Sequence, residues 1–334
     1  LNVTSEEPVN LACVTGTSRP APTVDWYIGS KWKGSGTSLT FIPNNADHNQ
    51  ILFCQVYNIM PSLKVDSNKL RLYVRVYVSM TILEGSRNGT ALFYEGFSKK
   101  LRCISSPSRP VPTVTWWLGN TQLKASINDV VVLDVNDLHV LTSEITLILL
   151  RNNSNQKIHC EGSISVQRSP AVSIQIRVDV WYPPSKPKVM AFMIPFPWLE
   201  NQTGILQCYS MDYGNPDASA KWTMDEFTTD AQGNLVIQRL MSSDNEKTVS
   251  CQLVNNYTVD MNASVVSDII TLNVEYSPII DFNTSSTLTM NESQSITVLC
   301  NVSGNPRPDP PQWRAKSGDS ILRFNNISRQ DNGT

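Results

Sequence analysis

The side chains of this 334-residue chain best equipped for chemistry are seven cysteines and three histidines. A thiolate can attack carbon or sulfur and bind metal, and an imidazole can move protons near neutral pH. Both uses require groups that converge. The histidines are His48, His139 and His159, and among them only His159 has a thiol beside it in the chain, Cys160. No Cys-x-x-Cys or His-x-x-x-His spacing offers a zinc site. No glycine-rich loop offers a phosphate cradle, and no nucleophile elbow presents a serine. The chain is therefore expected to be a non-enzyme with no catalytic residues, no metal and no cofactor.

The surroundings of the cysteines point elsewhere. Cys13 to Trp26 reads CVTGTSRPAPTVDW and Cys103 to Trp116 reads CISSPSRPVPTVTW, while Cys208 to Trp222 and Cys300 to Trp313 are looser copies. The Cys-to-Trp offsets are thirteen, thirteen, fourteen and thirteen positions. Recurrence this regular marks one structural unit per copy. Cys54, Cys160 and Cys251 each end a short β-type run, QILFC, QKIHC and KTVSC. Leu70, Leu72, Val74, Val76 and Val78 alternate with Arg71, Tyr73, Arg75 and Tyr77, and Val172 to Val180 repeats the pattern. Period two means a strand with one buried and one wet face.

A Cys, Trp, Cys succession on short strands resembles the immunoglobulin superfamily, whose domains are two-sheet sandwiches of about seven strands. The resemblance runs through the whole chain. It implies an all-β fold of tandem immunoglobulin-like sandwiches of C2/I-set type, with only about a dozen residues between Trp26 and Leu39, too few for the extra strands of a variable domain. The units are 1–78, 79–182, 183–276 and 277–334, the first truncated at its start and the last at its end. The Tyr-Pro-Pro at 182–184 stiffens one boundary, since proline fixes φ and removes a donor. The second unit's extra length, around Asn128 to His139, is expected to form a hairpin.

The same resemblance implies disulfides Cys13–Cys54, Cys103–Cys160 and Cys208–Cys251, each under a core tryptophan, Trp26, Trp116 and Trp222, with Trp313 serving the fourth unit. That pairing removes the thiol beside His159. Cys300 is left with its partner missing, because Asp331-Asn-Gly333 begins the family's Asp-x-Gly-x-Tyr-x-Cys signature and the sequence stops short of the cysteine. Where many family members carry a tyrosine two residues before the second cysteine, this chain has Leu52, Ile158 and Val249, so its turns are expected to be fixed by packing alone. These aliphatic positions, the Ser-Arg-Pro-x-Pro segment and Ala46-Asp47-His48-Asn49 are similar to the nephrin and Kirre group of adhesion proteins, which serve cell-cell recognition.

Disulfides persist in oxidising surroundings, which places the chain in the secretory route or outside the cell. Eleven Asn-x-Ser/Thr acceptors agree: Asn2, Asn88, Asn152, Asn201, Asn256, Asn262, Asn283, Asn291, Asn301, Asn326 and Asn332. A net charge of −2 with a pI near 6.0 argues against nucleic acid. No apolar run reaches membrane-span length, so anchoring, as in a single-pass surface protein, is expected only of a longer chain. The expected partner is a protein on another cell or in matrix, met homophilically or heterophilically. Secreted immune recognition and an extracellular-matrix repeat are the alternatives. Between Asn2 and Asn88 lies no acceptor, and a glycan obstructs contact, so the first unit is the expected binding surface. Trp32, between Lys31 and Lys33 in a turn after the Trp26 strand, is its expected anchor, since Trp is enriched among interface hot spots.

Overall fold

A computed structural model describes residues 1–59, 63–124, 127–134, 136–224, 226–282, 289–309 and 321–324. They divide into two compact units, Leu1–Trp181 and Tyr182–Thr334. Apart from short 3₁₀ turns and the five-residue helix Asn256–Asp260, the elements are strands.

The first unit holds two sandwiches. In the first, Thr23–Ile28 is the middle of a sheet, flanked by Lys31–Ser35 on one side and Ile51–Tyr57 on the other, with Val65–Asp66 and Leu70–Arg71 beyond. The facing layer pairs Val9–Ala12 with Ser38–Phe41, and Asn2–Thr4 runs parallel to Tyr73–Arg75. Alternation sends Val24, Trp26 and Ile28 inward from one strand and Leu52 and Cys54 from the next, where they meet Leu39, Phe41, Leu72 and Val74.

The second sandwich has the sheet order Thr81–Glu84, Ser98–Ser105, His139–Ile148, Ile127–Leu133. It faces Thr90–Tyr94, Ile176–Trp181, Lys157–Ser163, Thr113–Leu118 and Thr121–Leu123. The extra residues form the expected hairpin, Ile127–Leu133 pairing antiparallel with His139–Ile148.

In the second unit the apolar run Val189 to Leu199 is split between the two layers. Lys188–Ala191 lies at the edge of one sheet beside Gly204–Tyr209, and Trp198–Leu199 at the edge of the other beside Val274–Phe282. Pro195 and Pro197 occupy the crossing, where no strand needs their missing N–H groups. Trp198, which nothing in the sequence pattern singled out, is 1% exposed in this core. Val274–Phe282 then continues past its own sandwich to pair with Ile296–Asn305.

Cys13 is bonded to Cys54, Cys103 to Cys160 and Cys208 to Cys251, with Cα separations of 6.4, 6.4 and 6.1 Å. The buried indoles of Trp26, Trp116 and Trp222 satisfy their N–H on Gly36 O (2.9 Å), Ser143 Oγ (3.1 Å) and Gly233 O (2.9 Å). Cys300 is free and half-buried. Trp313, Asn283, Asn326, Asn332 and the Asp331-Asn-Gly333 segment lie outside the described residues.

Packing alone does not hold the turns before the second cysteines. Each is a 3₁₀ turn, Asn45–Asp47, Arg151–Asn153 and Ser242–Asp244, whose last side chain accepts from the backbone N–H that opens the turn: Asp47 from Asn44 (3.0 Å), Asn153 from Leu150 (3.0 Å), Asp244 from Met241 (2.8 Å). The next side chain accepts from the final strand: His48 Nδ1 from Val74 N–H (3.1 Å), Ser154 Oγ from Val180 (3.2 Å), Asn245 Oδ1 from Val274 (2.9 Å). A short polar residue one turn upstream thus ties the corner that the absent tyrosine would tie.

Candidate recognition surface

The outer face of the first sandwich is built by the residues that alternate with the core set. Along Thr23–Ile28 these are Asp25 and Tyr27, and along Ile51–Tyr57 they are Phe53, Gln55 and Tyr57. Register places Tyr27 opposite Phe53 and Asp25 opposite Gln55. Tyr27 and Phe53 stack with ring centroids 5.5 Å apart, and Lys69 Nζ lies 5.2 Å over Phe53. Lys64 Nζ lies 5.1 Å over Tyr57, and Asp66 receives both Gln55 Nε2 (3.0 Å) and Lys69 Nζ (3.2 Å). Aromatic faces attract cations, so each lysine, though exposed, rests over a ring.

Trp32 belongs to this face, but in a strand rather than the expected turn. The turn is only Gly29-Ser30, where Gly29 takes φ 58°, which a tight hairpin turn requires and glycine supplies without strain. Trp32 then pairs with Tyr27 at the sheet edge and is 59% exposed. Its indole N–H reaches Asp25 Oδ1 at 3.4 Å. Ser35 Oγ donates to the same oxygen at 2.5 Å, and that bond, with the indole's, holds the Asp25 carboxyl below the usual aspartate range against the opposing effect of burial. Burial and the charge on Asp25 raise the Tyr57 phenol, which therefore stays neutral. The result is an aromatic row, Trp32, Tyr27 and Phe53, beside a polar row, Ser35, Asp25, Gln55 and Asp66. Aromatic area with fixed polar groups suits a protein partner.

None of the three histidines meets a thiolate. His159 stacks on Trp117 at 6.4 Å and approaches Glu161 at 3.7 Å on the outer face of its sheet, while Cys160 points into the core. Among the described residues no group of three His, Cys, Asp or Glu could hold a metal ion, and no helix is long and apolar enough to cross a membrane. The described glycan acceptors, Asn2, Asn88, Asn152, Asn201, Asn256, Asn262, Asn291 and Asn301, are all exposed.

A third repeated device escaped the sequence reading. The N–H groups of Cys54, Cys160 and Cys251 each donate to a serine hydroxyl, Ser67, Ser173 and Ser267, at 3.0 Å. Each serine N–H returns to the cysteine carbonyl. The cysteine-to-serine spacing is 13 in the first two repeats and 16 in the third, so the offset shared by the first two is the signal that could have flagged it.

Residues 86–171 match the family model of the CD80-like C2-set immunoglobulin domain. The chain has the all-β fold of tandem immunoglobulin domains. The array is 25% identical to mouse nephrin over 67% of its own length and 18% of nephrin's. It is 25% identical to human cell adhesion molecule 1 over 39% of its length and 29% of that protein's. It thus spans under a third of each of these curated relatives. Among solved structures, the three-domain ectodomain of mouse nectin-like molecule 4 superposes with a TM-score of 0.53 at 16% identity, covering 82% of this array and 96% of that chain, a likeness of fold.

Proposed function

We propose that this array is an extracellular recognition module, part of a longer membrane-anchored protein, that binds a protein partner on another cell or in matrix through the outer face of its first repeat. In this reading the domains are 1–78, 79–182, 183–276 and 277–334, the array does no enzymatic chemistry, and the repeats after the first act as a spaced, glycosylated stalk. Adhesion proteins among its relatives favour the reading, as do the three buried disulfides, which fit an oxidising compartment.

The observation that carries it is the row of Trp32, Tyr27 and Phe53, an aromatic ladder whose edge residue Trp32 is exposed and whose other two rings are half-buried, with its polar neighbours already bonded in place. Preordering lowers the entropy cost of association. Individual contacts of this size are weak, and multivalency across a junction supplies the remainder. Trp32→Ala tests it. Partner affinity is expected to fall by at least about 1 kcal/mol, as for a hot-spot tryptophan, with the melting temperature unchanged. Unchanged affinity would overturn the assignment of this face.

A further inference from the structure

One strand of the second repeat is bare on both faces and along one edge. Ile127–Leu133 ends its sheet, paired with His139–Ile148 on one side, and no described strand lies on the other. Its register sets Ile127, Val131 and Leu133 on the face that carries the buried Leu141, Ser143 and Ile145, yet these three are between 38% and 56% exposed. The facing sheet stops at Thr121–Leu123 and leaves them uncovered. On the opposite face Val130 and Val132 are also more than half exposed. Natural edge strands are blunted by lysine, proline or a bulge. This one has a single charge, Asp129, no proline and an unbroken register.

The hairpin is held firmly. At its tip Asp134 Oδ1 accepts from the N–H groups of Asn136 (2.8 Å) and Leu138 (3.0 Å), and Arg109 donates to Asn136 O and Asp137 O. Asp134 N–H donates to Leu138 O at 2.8 Å, which makes that a hydrogen-bonded pair. Bonded and non-bonded pairs alternate in an antiparallel ladder, so Asn128, Val130 and Val132 turn their backbone groups toward His139–Ile148. Those of Ile127, Asp129, Val131 and Leu133 point outward. The neighbouring strand agrees, since the N–H of Leu141, opposite Val131, goes the other way, to Ser105 Oγ at 2.9 Å.

We propose that this edge pairs antiparallel with the same strand of a second copy, about a two-fold axis through Val130. That register sets Ile127 opposite Leu133 and Asp129 opposite Val131 as bonded pairs, so every outward residue of each strand is used. Val130 meets its own counterpart, and Asn128 meets Val132, as the close non-bonded pairs. Moving the axis to Asp129 would set two carboxylates face to face and lose a bonded pair. Moving it to Val131 also loses one. The strand therefore complements itself residue by residue, as an isologous contact requires, and this selects a second copy over an unrelated chain. Neither glycan acceptor of this repeat, Asn88 or Asn152, lies on the strand or on its neighbour. Seven residues per copy is well under the roughly 20–30 a side of a stable interface, so the pairing is weak and reversible. The edge is separate from the aromatic ladder of the first repeat, so the two proposals stand or fall apart.

The test is sedimentation velocity of the 1–334 chain from micromolar to millimolar concentration, with Val130→Lys and Val130→Glu measured alone and mixed. The wild type is expected to dimerise reversibly. Each variant sets like charges opposite one another and should pair at least about tenfold more weakly, with the melting temperature unchanged. Their equal mixture should recover the lost association. Val131→Pro, which removes an outward N–H and no ladder bond of the single chain, should also prevent pairing. A wild type that stays monomeric throughout would overturn the proposal. So would Val130→Lys associating as tightly as the wild type, or a mixture no tighter than its components. Association lost in Trp32→Ala and kept in Val130→Lys would put self-pairing on the first repeat and overturn it too.

Discussion

Removing the Arg109 side chain should uncouple the first two sandwiches without unfolding either. Its guanidinium donates to Asn45 Oδ1 (2.8 Å), Val74 O (3.2 Å), Asn136 O (3.0 Å) and Asp137 O (2.7 and 3.1 Å), so a single side chain ties the corner and last strand of the first repeat to a hairpin of the second. Burial lowers its pKa, but an arginine so shifted remains charged. A hydrogen bond from a charged donor is worth about 1.5–3 kcal/mol, and breaking a buried charged network costs about 3–5 kcal/mol. Asn136 and Asp137 are exposed, so water can replace part of what Arg109→Ala removes. The joint should therefore weaken by about 2–4 kcal/mol, and its opening should become about 30- to 1000-fold more frequent. Native-state hydrogen exchange reads this directly at the amides of Val76 and Arg109 position 109 itself, which bridge the joint, against core amides such as Cys160, which should not change. Arg109→Lys, keeping charge but losing the fork, should fall between. Exchange at both bridge amides within twofold of the wild type would refute the assignment of Arg109 as the clamp.

The remaining predictions concern the corner and the outer faces. Burial, then the neighbouring Arg109 charge, lowers the His48 pKa, with Asp137 opposing, and only neutral imidazole can accept from Val74 N–H. Below about pH 6.5 the unfolded state takes up a proton that the folded state resists, so stability should fall as pH drops through that value. His48→Asn, which borrows the third repeat's solution at Asn245, should flatten the dependence in thermal melts between pH 7.5 and 5. Ser173→Ala leaves the buried N–H of Cys160 without its acceptor and should cost about 1–3 kcal/mol by denaturant titration. Asp137→Ala should cost under about 1 kcal/mol in the same titration, because its carboxylate is largely exposed and 3.9 Å from Arg109.

The sandwiches were legible because their signals are periodic. A cysteine and a tryptophan on adjacent inward positions, and alternating strands such as Ile176–Trp181, declare which face is buried without reference to anything distant. The corners and joints were not legible, because they rest on single side chains that meet backbone far along the chain, as His48 meets Val74 and Ser154 meets Val180. Such bonds carry no period, and three different residue types do the same work. Arg19 and Arg109 make the point most sharply, since the same Ser-Arg-Pro letters stand exposed in one repeat and buried in the next. Trp32 was legible as exposed but not as a strand residue. The turn that precedes it needs only Gly29 and Ser30, and the bulge between Trp26 and Tyr27 sets its position on the edge.

A glycan placed on the outer face of the first repeat tests the recognition surface most directly. Gln55→Asn with Tyr57→Thr creates an acceptor between Asp25 and the Lys69 side of the ladder, while Ala12→Thr creates one at Asn10 on the opposite sheet. Full-length protein carrying each change would be displayed on suspension cells and scored for clustering, with itself and with cells of its source tissue. Clustering lost with the glycan at position 55 and kept with the glycan at Asn10 is the predicted result. Clustering that survives an occupied glycan at position 55 would contradict the account.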